Sequence, residues 1–134
     1  MIPYGRQSIN EEDVQAVLSV LRSDWLTTGP VVEKFEEALQ QWTGGTLAVA
    51  VSSGTAALHT AYAAAGLGPG DEVITPPITF VATQAALVHL GATPVFADVD
   101  PDTALIDPAA VAAAVGPRTA AIVAVDYAGV PADM

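Results

Sequence analysis

The stretch Val49-Ala50-Val51-Ser52-Ser53-Gly54-Thr55-Ala56-Ala57-Leu58 decides the fold class. It joins a short apolar run, Leu47–Val51, to an alanine-rich segment through Ser52-Ser53-Gly54. Short apolar runs suit strands buried on both faces, and alanine suits helices. The stretch therefore predicts a strand, a turn and a helix over about Thr55–Ala65, closed by Gly66. The first turn of a helix carries four amides without intrahelical acceptors, and its dipole end is positive. A phosphate set there accepts those N–H bonds. Gly54 permits close approach, and the Ser53 and Thr55 hydroxyls can donate as well. An ordinary Ser/Thr helix cap explains the same residues equally well.

Downstream the alternation repeats. Strands are expected at Glu72–Thr75, Pro94–Val99 and Ala120–Val125. Helices are expected at Thr79–Leu90, closed by Gly91, and at about Pro108–Ala114. Strands alternating with helices predict an α/β fold, a mostly parallel sheet with helices on both faces. Upstream, residues 1–9 read as an extended arm. Val14, Val17, Leu18 and Leu21 recur with helical spacing between Asn10 and Ser23, with Ser8 or Asn10 as the cap. A second amphipathic helix runs over about Val31–Trp42, its apolar face made by Val32, Phe35, Ala38, Leu39 and Trp42. The expected division is residues 1–45, an arm and two helices, and residues 46–134, an α/β domain. The alternation stops where another helix is due, so that domain is expected to be incomplete.

Composition narrows the partners. Apolar residues make up 51% of the 134 and charged residues 14%, enough for a core and too little charge for disorder. The net charge is −11, with only Arg6, Arg22, Lys34 and Arg118 basic, which argues against nucleic acid and against anionic membranes. The absence of cysteine excludes disulfides and thiolate metal sites. No stretch has the length or apolarity of a signal peptide or a membrane span, and a cytoplasmic protein is expected.

Other motifs fall to bland readings. No G-x-x-x-x-G-K-[ST] is present, and Gly66-Leu67-Gly68-Pro69-Gly70 lies after a helix and before a strand, the wrong order for a dinucleotide fingerprint. It reads as a tight turn. Asp98-Val99-Asp100-Pro101-Asp102 lacks the Gly and Glu that a calcium loop needs at its sixth and twelfth positions, and reads as a solvated loop with no metal. Phe80, in Thr75-Pro76-Pro77-Ile78-Thr79-Phe80-Val81-Ala82-Thr83, falls at a strand exit. It could stack on a planar cofactor or be a core residue.

Several of these segments, in one order, resemble the fold-type-I, pyridoxal-phosphate-dependent nucleotide-sugar aminotransferases of the DegT/StrS family. They are Pro3-Tyr4-Gly5, Trp25-Leu26-Thr27-Thr28-Gly29-Pro30, Val51–Leu58, Gly70-Asp71-Glu72-Val73-Ile74-Thr75-Pro76, Thr79–Thr83 and Gly91-Ala92-Thr93-Pro94-Val95-Phe96. The ending Val125-Asp126-Tyr127-Ala128-Gly129 is similar to the branch that makes the pseudaminic acid precursor, the UDP-4-amino-4,6-dideoxy-N-acetyl-beta-L-altrosamine transaminases. The resemblance implies the N-terminal part of the family's large domain. It implies pyridoxal 5'-phosphate as cofactor, a UDP-linked 4-keto-6-deoxy sugar as substrate, glutamate as amino donor, and a homodimer. It implies that Gly54, Thr55 and Ala56 hold the cofactor phosphate and that Phe80 stacks on the pyridine ring. Tyr4, Asp24, Trp25, Leu26, Thr27 and Gly54 would border the substrate. A family member acting at another sugar position, or a dehydrating relative with histidine in place of lysine, stays open, as does a non-catalytic binding module.

The chemistry needs a lysine. The only one, Lys34, sits off the apolar face of its helix among Glu33, Glu36 and Glu37. Neighbouring carboxylates favour a charged ammonium, the opposite of what a nucleophile requires. The family's Schiff-base lysine is expected beyond Met134, which leaves these residues without a catalytic group and inactive alone.

Overall fold

The computed structural model describes residues 5–45 and 47–133. It divides into two compact units, Met1–Ala50 and Val51–Met134. Tyr4, expected beside the substrate, lies outside the described residues.

The first unit holds α1 (Glu11–Leu21) and α2 (Pro30–Thr43). Asn10 starts α1 through a reciprocal capping box. Its Oδ1 accepts from the Asp13 amide at 3.0 Å, and its own amide donates to Asp13 Oδ2 at 2.9 Å. Pro30 occupies the first position of α2, where its missing N–H costs nothing, and Gly44 ends the helix in the left-handed region. Neither helix has a buried residue, and Val17, Leu21, Phe35 and Trp42 are all exposed.

The second unit contains α3 (Gly54–Ala64), β1 (Glu72–Thr75), α4 (Ala82–His89), β2 (Thr93–Phe96), α5 (Pro108–Ala114) and β3 (Thr119–Ile122). The strand order is β2-β1-β3, and both pairings are parallel. Val73, Ile74 and Thr75 of the central strand have no exposure. Alternation along β1 sends Val73 into a cluster with Tyr62, Leu67, Ala86, Leu87 and Ala92. Ile74 enters a second cluster with Ala97 and Ile106, against which Val111 and Ala114 of α5 pack. Helices α3 and α4 thus cover one face and α5 the other, as the alternation predicts.

The ends of α3 and α4 explain how the layers turn back on the sheet. Both helices finish in a Schellman motif. Leu67 N donates to Tyr62 O at 3.1 Å and Gly66 N to Ala63 O at 3.0 Å, while Ala92 N donates to Leu87 O and Gly91 N to Val88 O, each at 3.0 Å. Gly91 has φ +83°, and an added Cβ would stand 2.9 Å from Pro69 Cγ, so both conformation and space require glycine there. Gly66–Gly70 is the tight turn expected, and it feeds β1. Arg118 pairs with Glu72 beside the backbone bond from Glu72 N to Arg118 O, tying the starts of β1 and β3.

One expected element is missing. Leu47–Val51 is neither helix nor strand and pairs with no strand among the described residues. A strand exists only through inter-strand hydrogen bonds, and the amide of Ala50 is bonded instead to Glu36 Oε1 at 2.7 Å. β1 has the bounds expected, whereas β2 and β3 end before the runs expected at Pro94–Val99 and Ala120–Val125, because pairing ends before apolarity does. Val99 makes only an isolated antiparallel bridge to Ile106. That bridge closes the acidic loop, in which Asp100 Oδ1 accepts from the Asp102 and Thr103 amides, each at 2.9 Å, and from Thr103 Oγ1 at 3.1 Å. Those bonds to the charged form hold the Asp100 carboxyl below its usual range.

The Tyr62 hydroxyl is buried with no hydrogen-bond partner among the described residues, and burial raises its pKa above the usual 10.0. A raised folded-state pKa gives stability that is complete below about pH 10 and is lost as pH rises through the folded value. Tyr62→Phe is expected to leave neutral-pH stability unchanged or raise it by up to about 1 kcal/mol. It should also flatten the decline above pH 10, as read by urea unfolding across pH.

Candidate functional site

The first turn of α3 is capped by Ser53 and leaves two of its amides unbonded among the described residues. Ser53 is extended, φ −165° and ψ 164°, and its Oγ accepts from the Ala56 amide at 3.2 Å. The Ala57 amide donates to Ser53 O at 3.0 Å. Of the four leading amides, those of Gly54 and Thr55 make no hydrogen bond to a described residue. Ala56, expected to share in holding a phosphate, already has its amide engaged, so a ligand would share that donor with Ser53. Ser52, Ser53, Gly54 and Thr55 are all exposed.

Gly54 is informative because nothing among the described residues demands it. Its φ is not positive, and a Cβ added there would meet no atom within 4 Å. A glycine without a conformational or packing requirement, beside two free amides, leaves room for a group from outside the chain to approach the backbone. A phosphate fits that space and those donors.

Phe80 is 74% exposed and joins neither apolar cluster of the second unit. It lies in the turn between β1 and α4, at the carboxyl end of the central strand. Phe80 O accepts from Thr83 N at 3.0 Å in the turn that leads into α4, which starts at Ala82, later than the Thr79 expected. Since α3 leads into β1 and packs beside α4 through the same cluster as Val73, the starts of α3 and α4 both lie toward the carboxyl ends of the strands. In open α/β sheets ligands bind at that end.

A hollow of about 380 Å³ opens beside the turn, lined by Pro77, Thr79, Val81, Gln84 and Phe96. Reasoning from the sequence missed Gln84, whose amide reaches Pro76 O at 3.1 Å, and the Thr79–Thr83 hydroxyl pair at 2.8 Å. The available signal was a glutamine in the first turn of a helix otherwise rich in apolar residues.

In the first unit, Asp24, Trp25, Leu26 and Thr27 form an exposed loop after α1. Trp25 and Leu26, 59% and 66% exposed, line a hollow of about 310 Å³ with Ser19, Ser23 and Thr28, whereas Asp24 and Thr27 do not. The loop is tightly folded. Ser23 Oγ donates to Val20 O at 2.8 Å, and the Trp25 amide donates to Ser23 Oγ at 3.2 Å. Thr28 has φ +49°, a strained value for a β-branched residue, and a Cβ on Gly29 would stand 2.7 Å from Trp25 Cβ. Lys34 is exposed on α2 and makes no ion pair among the described residues.

Comparison with known proteins gives the family and the fold. Residues 7–134 match the model of the DegT/DnrJ/EryC1/StrS aminotransferase family. The spore coat polysaccharide biosynthesis protein SpsC of Bacillus subtilis (strain 168) is 50% identical over 133 residues, which cover 99% of this chain and 34% of that protein. The PLP-form of Spr1654 from Streptococcus pneumoniae superposes with a TM-score of 0.92 at 37% identity, over 98% of this chain and 34% of that one. Helicobacter pylori PseC, an aminotransferase involved in the biosynthesis of pseudoaminic acid, gives a TM-score of 0.89 at 40% identity, over 98% of this chain and 36% of that one. The chain spans about a third of the length of these relatives.

The unforced glycine separates stability from binding. Gly54→Ala is expected to unfold at the same or higher urea concentration, because alanine costs less than glycine in a helix by up to about 1 kcal/mol. Its affinity for inorganic phosphate should fall, as measured by calorimetric titration. Loss of stability without loss of phosphate binding would contradict the site.

Proposed function

The chain belongs to the DegT/DnrJ/EryC1/StrS aminotransferase family, and on that premise we propose that the protein it forms part of is a pyridoxal-phosphate-dependent aminotransferase of nucleotide-linked keto sugars. The observation that carries the proposal is the pairing of two unbonded amides at an unforced Gly54 with an exposed Phe80 at the same end of the sheet. When bound, the cofactor supplies an electron sink that lets an amino group pass from an amino acid to a keto carbon. The residues in hand bind and orient. Gly54 and Thr55 hold the phosphate through their amides, with the Thr55 hydroxyl and the shared Ala56 amide beside them. Phe80 covers one face of the pyridine ring. Tyr4 and the loop Asp24–Thr27 border the sugar nucleotide, with Gly54 at the junction of cofactor and substrate. Lys34 takes no part.

The substrate we propose is a UDP-linked 4-keto-6-deoxy sugar, with glutamate as amino donor, as in pseudaminic acid precursor synthesis. Support comes from the Val125–Gly129 ending, and PseC, at 40% identity, is one of several relatives that share the fold. The altrosamine branch as such has no advantage over other members, since identity with the spore coat protein is 50%. The same reading makes the protein a cytoplasmic homodimer with sites shared between subunits.

The test is amino transfer by the full-length protein from glutamate to a UDP-4-keto-6-deoxy sugar, followed as amino-sugar product by mass spectrometry. Transfer that survives Lys34→Ala unchanged is expected. Absence of transfer to any nucleotide-linked keto sugar contradicts the proposal, and so does a borohydride-trapped cofactor adduct that disappears with Lys34→Ala.

A further inference from the structure

We infer that Gln84 is a positioning residue, whose side-chain amide fixes the turn Pro76–Val81 so that Phe80 is held ready to stack on a planar ring. The inference rests on the reading of Phe80 as the ring-stacking residue.

The turn has little else to hold it. Thr75 and Pro76 are buried, but from Pro77 to Val81 the chain is mostly exposed, with Ile78 at 39%, Phe80 at 74% and Val81 at 68%. Apolar packing cannot fix an exposed ring. The last ladder bond before the turn is from Ala97 N to Thr75 O at 3.1 Å. Just past it, Gln84 Nε2 donates to Pro76 O at 3.1 Å and lies 3.5 Å from Thr75 Oγ1. A backbone carbonyl only accepts, so the amide must present its NH₂ group to it, and the orientation of the side chain is determined. At the far end, the Thr79 and Thr83 hydroxyls stand 2.8 Å apart and Thr83 N reaches Phe80 O at 3.0 Å. The turn is therefore clamped from the first turn of α4, and Gln84 is the clamp on its strand side.

A ring that is already ordered does not lose that freedom when a ligand stacks on it. Without the Gln84 donors the turn must be ordered at each binding event. The loss falls on ring recognition and leaves phosphate recognition on α3 alone.

Binding of pyridoxamine 5'-phosphate and of inorganic phosphate to the full-length protein tests this, with the induced circular dichroism of the pyridine band as the signature of a fixed ring. Phe80→Ala is expected to weaken the pyridoxamine compound about five- to tenfold and to remove the band. Gln84→Met should weaken it about threefold or more and diminish the band, with inorganic phosphate binding unchanged. In the Phe80→Ala background, Gln84→Met should add nothing, since it acts through that ring. Gln84→Glu, which keeps the length and removes the donors, should repeat the loss should Gln84→Met fail to fold. Full affinity and an intact band in the Gln84 variants overturn the inference. So do an equal loss for inorganic phosphate and an additive double variant. If Phe80→Ala itself changes neither affinity nor band, the stacking reading fails and the inference falls with it.

Discussion

The two-sided burial of β1 is the constraint on which the second unit depends. Val73, Ile74 and Thr75 have no exposure, and the strand is bonded on both edges. A strand in that position needs an apolar layer above and below, which is why α3 and α4 pack on Val73 and α5 on Ile74. It also determines where the chain leaves the sheet. Pro76 emerges from a rigid end, so the turn carrying Phe80 starts from a defined point. Four residues with one buried face each way thus set the frame for groups that are themselves exposed.

Exposure is what distinguishes the candidate site from the core around it. Phe80 is mostly in solvent, Gly54 has nothing within 4 Å, and the Gly54 and Thr55 amides are unbonded among the described residues. These groups lie at one end of the sheet, and they are the ones we propose a ligand meets. Phosphate recognition by backbone amides needs no cation, which suits a chain with a net charge of −11 and four basic residues. Lys34 does not alter this, since it lies on an exposed helix of the other unit.

Local signals in the sequence were legible, and non-local ones were not. The Asn10 capping box, the glycines closing α3 and α4, and the cap at Ser53 follow from spacing alone, because each bond spans a few residues. The core strand Glu72–Thr75 was visible from its apolarity and its flanking turns. Leu47–Val51 carries the same local signal and forms no strand among the described residues, because strand formation is decided by a neighbour that spacing cannot reveal. Gln84 was invisible for a related reason. Its role comes from the Pro76 carbonyl eight residues away, across a strand end and a turn. The family resemblance supplied the roles proposed for Phe80 and the Ser52–Ala57 turn, and the structure shows both to be exposed.

The central claim is that α3 begins with an anion site built from backbone. An amide-resolved NMR titration of the protein with pyridoxamine 5'-phosphate tests it most directly. The account predicts the largest shifts at the Gly54 and Thr55 amides, with a smaller one at Ala56, and ring-current shifts around Phe80. Saturable binding that leaves the Gly54 and Thr55 amides unmoved would contradict it.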